Sequence, residues 1–309
     1  SIAYVAQTGW SPYANFMNSM AFARFASYDL SVIPLFILMG HFATQGGISK
    51  SLFEFTAAVV GRLRGGLAMA AVMASAAFGA ICGSSVATAA TITGVALPEM
   101  RRHGYSGRLA TGALATAGTL GILIPPSVPL VIYAILTEQN IAKLFLAATL
   151  PGIIAMIGYM IVIAVYVRLV PGHAPEIEKA PPPFRWGSLI GVAPVAFVFA
   201  LVFGGIYGGY FSPTEGAGVG AAAALIASVG KRELTWKKFI HCFLATAEST
   251  AMIFMIFIGA DVLNSALALT QIQTQLVQIV SGWHVSPIWI MVGIVVLHIL
   301  LGCVTEELS

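Results

Sequence analysis

Charge is what this sequence has least of. Asp, Glu, Lys and Arg together make up 9% of its 309 residues, against roughly 25% in an ordinary soluble domain. A surface facing water cannot be covered by so few charges. Apolar residues make up 58% and the mean hydropathy is +0.91, so lipid must cover much of the chain. Cysteine is scarce too. Cys82, Cys242 and Cys303 lie far apart, in or beside apolar runs, with no metal-ligand spacing. They read as small buried hydrophobes. The apolar–polar alternation over about ten residues that marks a membrane barrel strand is absent. So are a charged start followed by an apolar core, a Gly-x-Ser-x-Gly elbow, a His-Glu-x-x-His pair and a phosphate loop. Gly216-Ala-Gly218-Val-Gly220 has no strand–loop–helix context, so it is not a dinucleotide loop. The net charge of +3 is no nucleic-acid signature, because the basic residues sit in loops between apolar runs.

Present instead are repeated apolar runs near 20 residues, the length that crosses a bilayer core as helix. The sequence predicts an all-α integral membrane protein, a multi-span helical bundle. Residues 1–29 are mixed and aromatic, a loop or interfacial helix. Leu30 to Gln45 is a first span. Ser49 to Arg64 is an amphipathic helix suited to the membrane surface.

Residues 65–100 carry no Lys or Arg, and Glu99 is their only charge. One helix of that length would measure about 54 Å, too long for a core of about 30 Å. Arg62 and Arg64 stand before it and Arg101, Arg102 and Arg108 after it. If both flanks share one side, the segment enters and returns. Gly79, Gly83, Ser84 and Ser85 at its middle suit a turn, and the alanines around them allow close backbone packing. This predicts a re-entrant helical hairpin with a polar tip.

Residues 109–136 are again apolar, but Gly118, Gly121, Pro125, Pro126 and Ser127 interrupt them. Two prolines remove two amide donors and block helix before them. This is a discontinuous helix, tolerated at membrane depth where it is buried in protein or lines a wet cavity. Leu144 to Val167 returns, and residues 169–187 form a polar linker with Pro181 to Pro183. Residues 188–230 are a helical pair, turning at residues 207–215, where Ser212, Pro213 and Glu215 read as a helix start. Residues 231–309 hold a span from Phe239 to Leu267, with a possible break near Gly259 and Asp261. A polar connection from Gln271 to His284 and a last span from Ile288 to Gly302 follow.

Threading this topology puts thirteen of the fifteen Lys and Arg on one side, all but Arg24 and Lys143. That bias makes the side cytoplasmic and supports the hairpin. Ile37-Leu-Met-Gly40, before the hairpin, is echoed by Ile299-Leu-Leu-Gly302. The echo suggests an inverted repeat whose first copy is residues 30–168 and whose second starts within 231–309 and stops short of its own hairpin.

The hairpin tip and the broken helix are the candidate site. Half-helix ends supply partial charges, and unwound carbonyls ligate cations. The competing reading is architecture, since small-residue hairpins and proline breaks also serve packing. Asp261 and Glu248, in a long apolar segment, are candidates for an ion or proton site. Their plainer reading is a residue near water and an interfacial one. His41 and His298 have no partners at ligand spacing and read as packed or interfacial.

Residues 79–92 (Gly-Ala-Ile-Cys-Gly-Ser-Ser-Val-Ala-Thr-Ala-Ala-Thr-Ile) and 118–133 (Gly-Thr-Leu-Gly-Ile-Leu-Ile-Pro-Pro-Ser-Val-Pro-Leu-Val-Ile-Tyr) resemble the large membrane permease subunit of TRAP transporters (tripartite ATP-independent periplasmic transporters). So do residues 33–40, the stretch from Lys143, and Phe211 to Glu215, in family order from about residue 30 to the end. The resemblance implies two inverted repeats, each with a re-entrant hairpin and a broken helix. It also implies sodium-driven uptake of small organic acids by an elevator motion, in a bacterial inner membrane. Its partners would be a small membrane subunit and a soluble periplasmic binding protein. Carried over, Gly83, Ser84, Ser85 and Val86 with Thr119, Gly121, Pro125, Pro126 and Ser127 fall on a sodium site and its neighbouring substrate surface. The family has at least one further span before this stretch and a second hairpin and broken helix after it. Thr305, Glu306 and Glu307 stand where it has Asp followed by small residues. Three rival readings remain. One is an ion-coupled carboxylate carrier of the wider superfamily that works without a binding protein. Another is an intramembrane enzyme using Asp261 with Glu248 or Glu306. The third is a structural scaffold.

Overall fold

A computed structural model describes residues 9–175, 186–282 and 285–303, together with Val5. Lys179, Arg185, the proline run 181–183, His284 and Thr305 to Glu307 lie outside the described residues. The described elements are all helical. The helices are α1 (Trp10–Phe25), α2 (Val32–Gln45), α3 (Ile48–Val60), α4 (Gly66–Cys82), α5 (Ser85–Arg102), α6 (Gly107–Gly118), α7 (Leu120–Leu123) and α8 (Val128–Leu136). They continue as α9 (Ile141–Leu169), α10 (Trp186–Tyr207), α11 (Pro213–Gly230), α12 (Trp236–Thr270), α13 (Ile272–Gly282) and α14 (Pro287–Gly302).

Among the described residues two helices, α9 and the Trp236–Ala268 stretch of α12, are long and apolar enough to cross a membrane. The pairs α2–α3, bent by 68°, and α6/α7–α8, bent by 40°, raise that number to four if each is one span. The chain divides into two compact units, residues 29–249 and residues 1–28 with 250–309. In the second, Phe25 of α1 meets Phe254 of α12 at 5.2 Å between ring centroids. An apolar cavity of about 280 Å³ there is lined by Trp289, Ile294 and Leu297 of α14, with Val280 of α13.

The first unit is built around α4. Its residues are small or apolar on every face, and fifteen of its 17 are buried. A helix apolar all round belongs inside a bundle. It packs against α2, α3, α5, α6, α7 and α9. By contrast α9 buries only Phe145, Gly152, Ile163 and Val167. Leu146, Leu150, Ile154, Ile157 and Ile161 are exposed, the surface of a helix that faces lipid.

The predicted amphipathic helix is α3. Ile48, Leu52, Phe53 and Ala57 are buried against α4, and Thr56 Oγ1 donates to the Ala70 carbonyl at 2.9 Å. Its apolar face packs on protein. Helix α12 runs unbroken through Gly259 and Asp261, because an isolated glycine weakens a helix by only about 1 kcal/mol and the Ile and Phe residues before it sustain the apolar run. The reading of residues 212–215 holds. Ser212 Oγ accepts from Glu215 N–H at 3.2 Å, and the Glu215 carboxylate accepts from Ser212 N–H at 2.7 Å, a complete capping box. These bonds hold the Glu215 carboxyl below its ordinary range.

Helix α11 packs closely on α2 because it carries glycine and alanine at the contact. A side chain at Gly220 would meet Met39 Sδ at 2.5 Å. Ser228 Oγ, fully buried, faces the Phe42 and Ala224 carbonyls at 2.8 Å each and sits against Gly46. Ser228→Ala is expected to lower stability by about 1 kcal/mol through the lost bond. Ser228→Val should cost about 2–3 kcal/mol because its methyls press on backbone at Gly46. Thermal unfolding of the detergent-solubilised protein checks both, and equal unfolding temperatures for the two variants would contradict the packing argument.

Candidate functional site

The hairpin is present, and its turn is two residues long. Helix α4 ends at Cys82. Gly83 adopts φ +65°, a left-handed conformation that glycine takes without penalty, and donates to the Gly79 carbonyl at 2.9 Å. Ser84 is extended (φ −133°, ψ 129°) and caps α5, its Oγ accepting from Ala87 N–H at 3.4 Å. Gly83 is buried, Ser84 and Ser85 are half-buried, and Val86 is 63% exposed.

The broken helix repeats this design. Helix α7 stops at Leu123, Ile124 is extended, and a cis peptide joins Pro125 to Pro126. Ser127 is extended and fully buried, and its Oγ accepts from Leu130 N–H at 3.4 Å, which caps α8. Pro129 fits the first turn of α8, where no donor is needed.

The two interruptions meet. Val128 N–H donates to the Gly83 carbonyl at 3.3 Å. A Cβ on Gly83 would lie 2.7 Å from the Pro126 carbonyl oxygen. A Cβ on Gly79 would lie 2.5 Å from Gly121 Cα, and one on Gly118 2.6 Å from Ala89 Cβ. A Cβ on Gly121 would strike Thr88 Oγ1 and stand 2.7 Å from the Ser84 carbonyl. Behind the tip, Gly40 of α2 lies against the Cys82 carbonyl, and behind the break Gly152 of α9 lies against Ile124. Backbones are therefore in contact throughout, and two helix C-termini and two serine-capped N-termini share one small region.

Residues 65–98 and 109–137 contain no acidic or basic side chain. The groups available at this crossing are main-chain carbonyls and amides, with the hydroxyls of Ser84, Ser85, Ser127 and Thr88. Of the residues singled out from sequence, Gly83, Ser84, Ser85, Gly121, Pro125, Pro126 and Ser127 are brought together. Val86 is one step into α5 on its exposed side. Thr119 lies elsewhere: its exposed hydroxyl contacts the Thr116 carbonyl at 2.7 Å and the Tyr159 hydroxyl of α9 at 3.1 Å. Glu248 is exposed on α12, and His298 bonds the carbonyl of Ile294 on its own helix. Among the described residues no group of three or more His, Cys, Asp or Glu is placed to hold a metal.

Sequence reasoning missed Thr88. It is 0% exposed, and its hydroxyl meets the Cys82 thiol but no nitrogen or oxygen partner. Thr44, Thr111, Thr116, Thr149 and Thr246 all donate to the carbonyl four residues back. Thr88 does not. It sits one turn beyond Ser84, and that spacing was the available signal.

A central small-residue hairpin locked against a proline-broken helix, in an apolar all-helical bundle, defines a multi-pass membrane protein of transporter type. The chain belongs to the DctM component family of the tripartite ATP-independent periplasmic transporters, whose pattern it matches over residues 1–309. It is 34% identical over 290 residues to the C4-dicarboxylate TRAP transporter large permease protein DctM of Pseudomonas aeruginosa, covering 89% of this chain and 64% of that protein. It is 30% identical to the sialic acid TRAP transporter large permease protein SiaM of Vibrio cholerae, over 96% of this chain and 69% of that one. It is 29% identical to the isethionate TRAP transporter permease protein DctMQ of Oleidesulfovibrio alaskensis, over the whole of this chain and 48% of that one. The chain thus spans about half to two thirds of these relatives. They are named as permeases, in line with a transporter rather than an enzyme.

Proposed function

We propose that the chain is part of the membrane permease of a sodium-coupled, binding-protein-dependent transporter that imports small organic acids by an elevator motion. In this reading it works with a small membrane subunit and a soluble periplasmic binding protein, in the inner membrane of a bacterium. The observation that carries the reading is the meeting of tip and break at the Gly83–Val128 bond. Carbonyl-bearing helix ends and serine hydroxyls offer hard oxygen donors, the ligands that alkali and alkaline-earth cations prefer. The two capped N-termini beside them favour an anionic group such as a carboxylate. Thr88 supports the reading from a different direction. A buried hydroxyl with only a weak thiol partner is poorly satisfied, and such groups call for a bound water or ion. C4-dicarboxylate, sialic acid and isethionate, the compounds in the relatives' names, are all organic acids.

Rigid packing suits this motion. A hairpin and broken helix whose backbones interlock at Gly79, Gly83, Gly118 and Gly121 move as one body. Uptake by the full-length protein with its partners, reconstituted in liposomes, should require sodium and respond to membrane potential. Each net charge moved is worth about 2.3 kcal/mol per 100 mV, enough for roughly a fifty-fold gradient. Uptake that persists without sodium and follows a proton gradient would overturn the coupling and turn attention to Asp261 and Glu248. The topology is testable separately. Single cysteines at Arg64 and Arg101 should be labelled from the same, cytoplasmic side, and labelling from opposite sides would exclude a re-entrant hairpin.

A further inference from the structure

Helix α7 is the shortest element at the crossing. It has four residues, Leu120–Leu123, and a single turn of helix is not stable alone. At its ends Ile122 N–H donates to the Thr119 carbonyl at 3.4 Å and Ile124 N–H to the Leu120 carbonyl at 3.0 Å. Yet Gly121, its second residue, sits in contact with the Ser84 carbonyl and Thr88. The surroundings have to hold it there. The hairpin does so from α4 and α5, where Gly79 and the Ser84 carbonyl touch Gly121.

Helix α9 also holds α7, and it does so at both ends. Gly152 lies against Ile124, just past the C-terminus of α7, where a Cβ would stand 2.7 Å from Ile124 Cγ1. Tyr159 meets Thr119, just before the N-terminus, hydroxyl to hydroxyl at 3.1 Å. Gly152 and Tyr159 are two turns apart, about 10 Å along α9, so they share one face. Tyr159, Ile163 and Tyr166 then line an apolar crevice of about 120 Å³ between α4, α6 and α9. The direction of the Tyr159 bond follows from the donor count. The Thr119 hydroxyl has one proton and gives it to the Thr116 carbonyl at 2.7 Å. Its oxygen is then the acceptor, and Tyr159 donates. Thr119 is the joint between α6 and α7, with helical backbone (φ −64°, ψ −22°). The two bonds tie that joint to the last turn of α6 and to α9 together.

We propose that Tyr159 is a positioning residue for the ion site: its bond to Thr119 fixes the start of α7 and, through α7, the contact of Gly121 with the Ser84 carbonyl. The proposal rests on the reading of the crossing as a sodium site. Without the bond, α7 is free to shift on the hairpin. Only part of the protein then keeps the binding geometry, and the apparent sodium affinity falls by that fraction. Thr119 is exposed and Tyr159 half-buried, so the bond contributes little to overall stability. Its effect falls on position.

The test is the unfolding temperature of the detergent-solubilised full-length protein against sodium, with choline as the replacement cation. Tyr159→Phe removes one oxygen and should raise the sodium midpoint about threefold, the scale of an interhelical hydrogen bond in a membrane protein. Thr119→Val should raise it at least as much, and Thr119→Ser should keep the wild-type midpoint. Tyr159→Phe combined with Thr119→Val should be no worse than the poorer single variant, because both remove the same bond. Tyr166→Phe is the control. Its hydroxyl bonds His173 Nδ1 at 2.8 Å, about two turns along α9 from Tyr159, and its midpoint should stay at the wild-type value. An unchanged midpoint in Tyr159→Phe, even with a lower unfolding temperature at every sodium concentration, would make the bond purely structural and overturn the proposal. So would additive shifts in the double variant, or an equal shift in Tyr166→Phe. Failure of the underlying reading looks different. Wild-type protein that sodium does not stabilise has no ion site for Tyr159 to position, and both then fall together.

Discussion

Gly121→Val is expected to yield little or no working permease, with uptake lost even where some protein reaches the membrane. The missing side chain at Gly121 points at the hairpin. Its Cβ position is occupied to contact by Thr88 Oγ1, by the Ser84 carbonyl at 2.7 Å and by Thr88 Cβ at 2.8 Å. A carbonyl at the start of α5 cannot give way, because it also accepts Thr88 N–H at 3.1 Å as the first bond of that helix. The hairpin would have to move off the broken helix and loosen the Val128–Gly83 bond. Overpacking of this kind costs about 1–3 kcal/mol, and here the shift falls on the proposed site as well. Gly121→Ala should already reduce uptake several-fold while the protein still folds. Gly94 supplies the control. It lies in α5 with open space around it, so Gly94→Ala should be neutral or slightly stabilising, by up to about 1 kcal/mol from helix propensity alone. Size-exclusion profiles and uptake rates for the three variants decide the matter. Wild-type uptake by Gly121→Val would show that the two interruptions need not touch during transport.

The interruptions were legible in the sequence because each has a local cause. Pro125 and Pro126 cannot continue a helix, Gly83 supplies the left-handed turn, and arginines on both flanks require the segment between them to return. The cap at Ser212 was legible for the same reason, since its partner is three residues away. What the sequence did not show depends on partners distant in the chain. Thr119 lies two residues from Gly121, yet its hydroxyl bonds Tyr159, forty residues on. Helix α3 has the pattern of a surface helix, and nothing in that pattern distinguishes lipid from the Ala70 carbonyl that Thr56 meets. Gly79 and Gly121 each look like ordinary small residues. Only the crossing of α4 with α7 shows that each leaves room for the other. Thr88 escaped notice because a threonine in a helix is normally satisfied by its own backbone, and its exception appears only in three dimensions.

That exception leads to the sharpest expected result. Thr88→Val, which keeps the shape and removes the hydroxyl, should leave the sodium-free stability of the full-length protein unchanged or raise it. The wild-type hydroxyl is buried with no partner stronger than the Cys82 thiol, and replacing a poorly satisfied polar group by an apolar one relieves its desolvation cost. The same change should weaken the stabilisation by sodium about tenfold in concentration, equivalent to ~1.4 kcal/mol, if the hydroxyl turns to the cation when it binds. Thr88→Ser should retain the sodium response. Ser127→Ala should behave differently. Ser127 Oγ caps α8 through Leu130 N–H, so its loss should cost about 1 kcal/mol with or without sodium, and any sodium effect comes on top of that. Unfolding temperature measured against sodium, with choline as the replacement cation, separates the two patterns without recourse to transport. If Thr88→Val is stabilised and its sodium midpoint does not move, Thr88 is a packing residue and not part of the ion site. If Ser84→Ala, Ser85→Ala and Ser127→Ala also keep the wild-type midpoint, no side chain at the crossing ligates sodium, and the backbone carbonyls alone would have to hold it. Folded Gly83→Val with an unchanged midpoint would then exclude the carbonyls too, because a β-branched side chain cannot hold φ +65° beside Pro126 without displacing the oxygens around it.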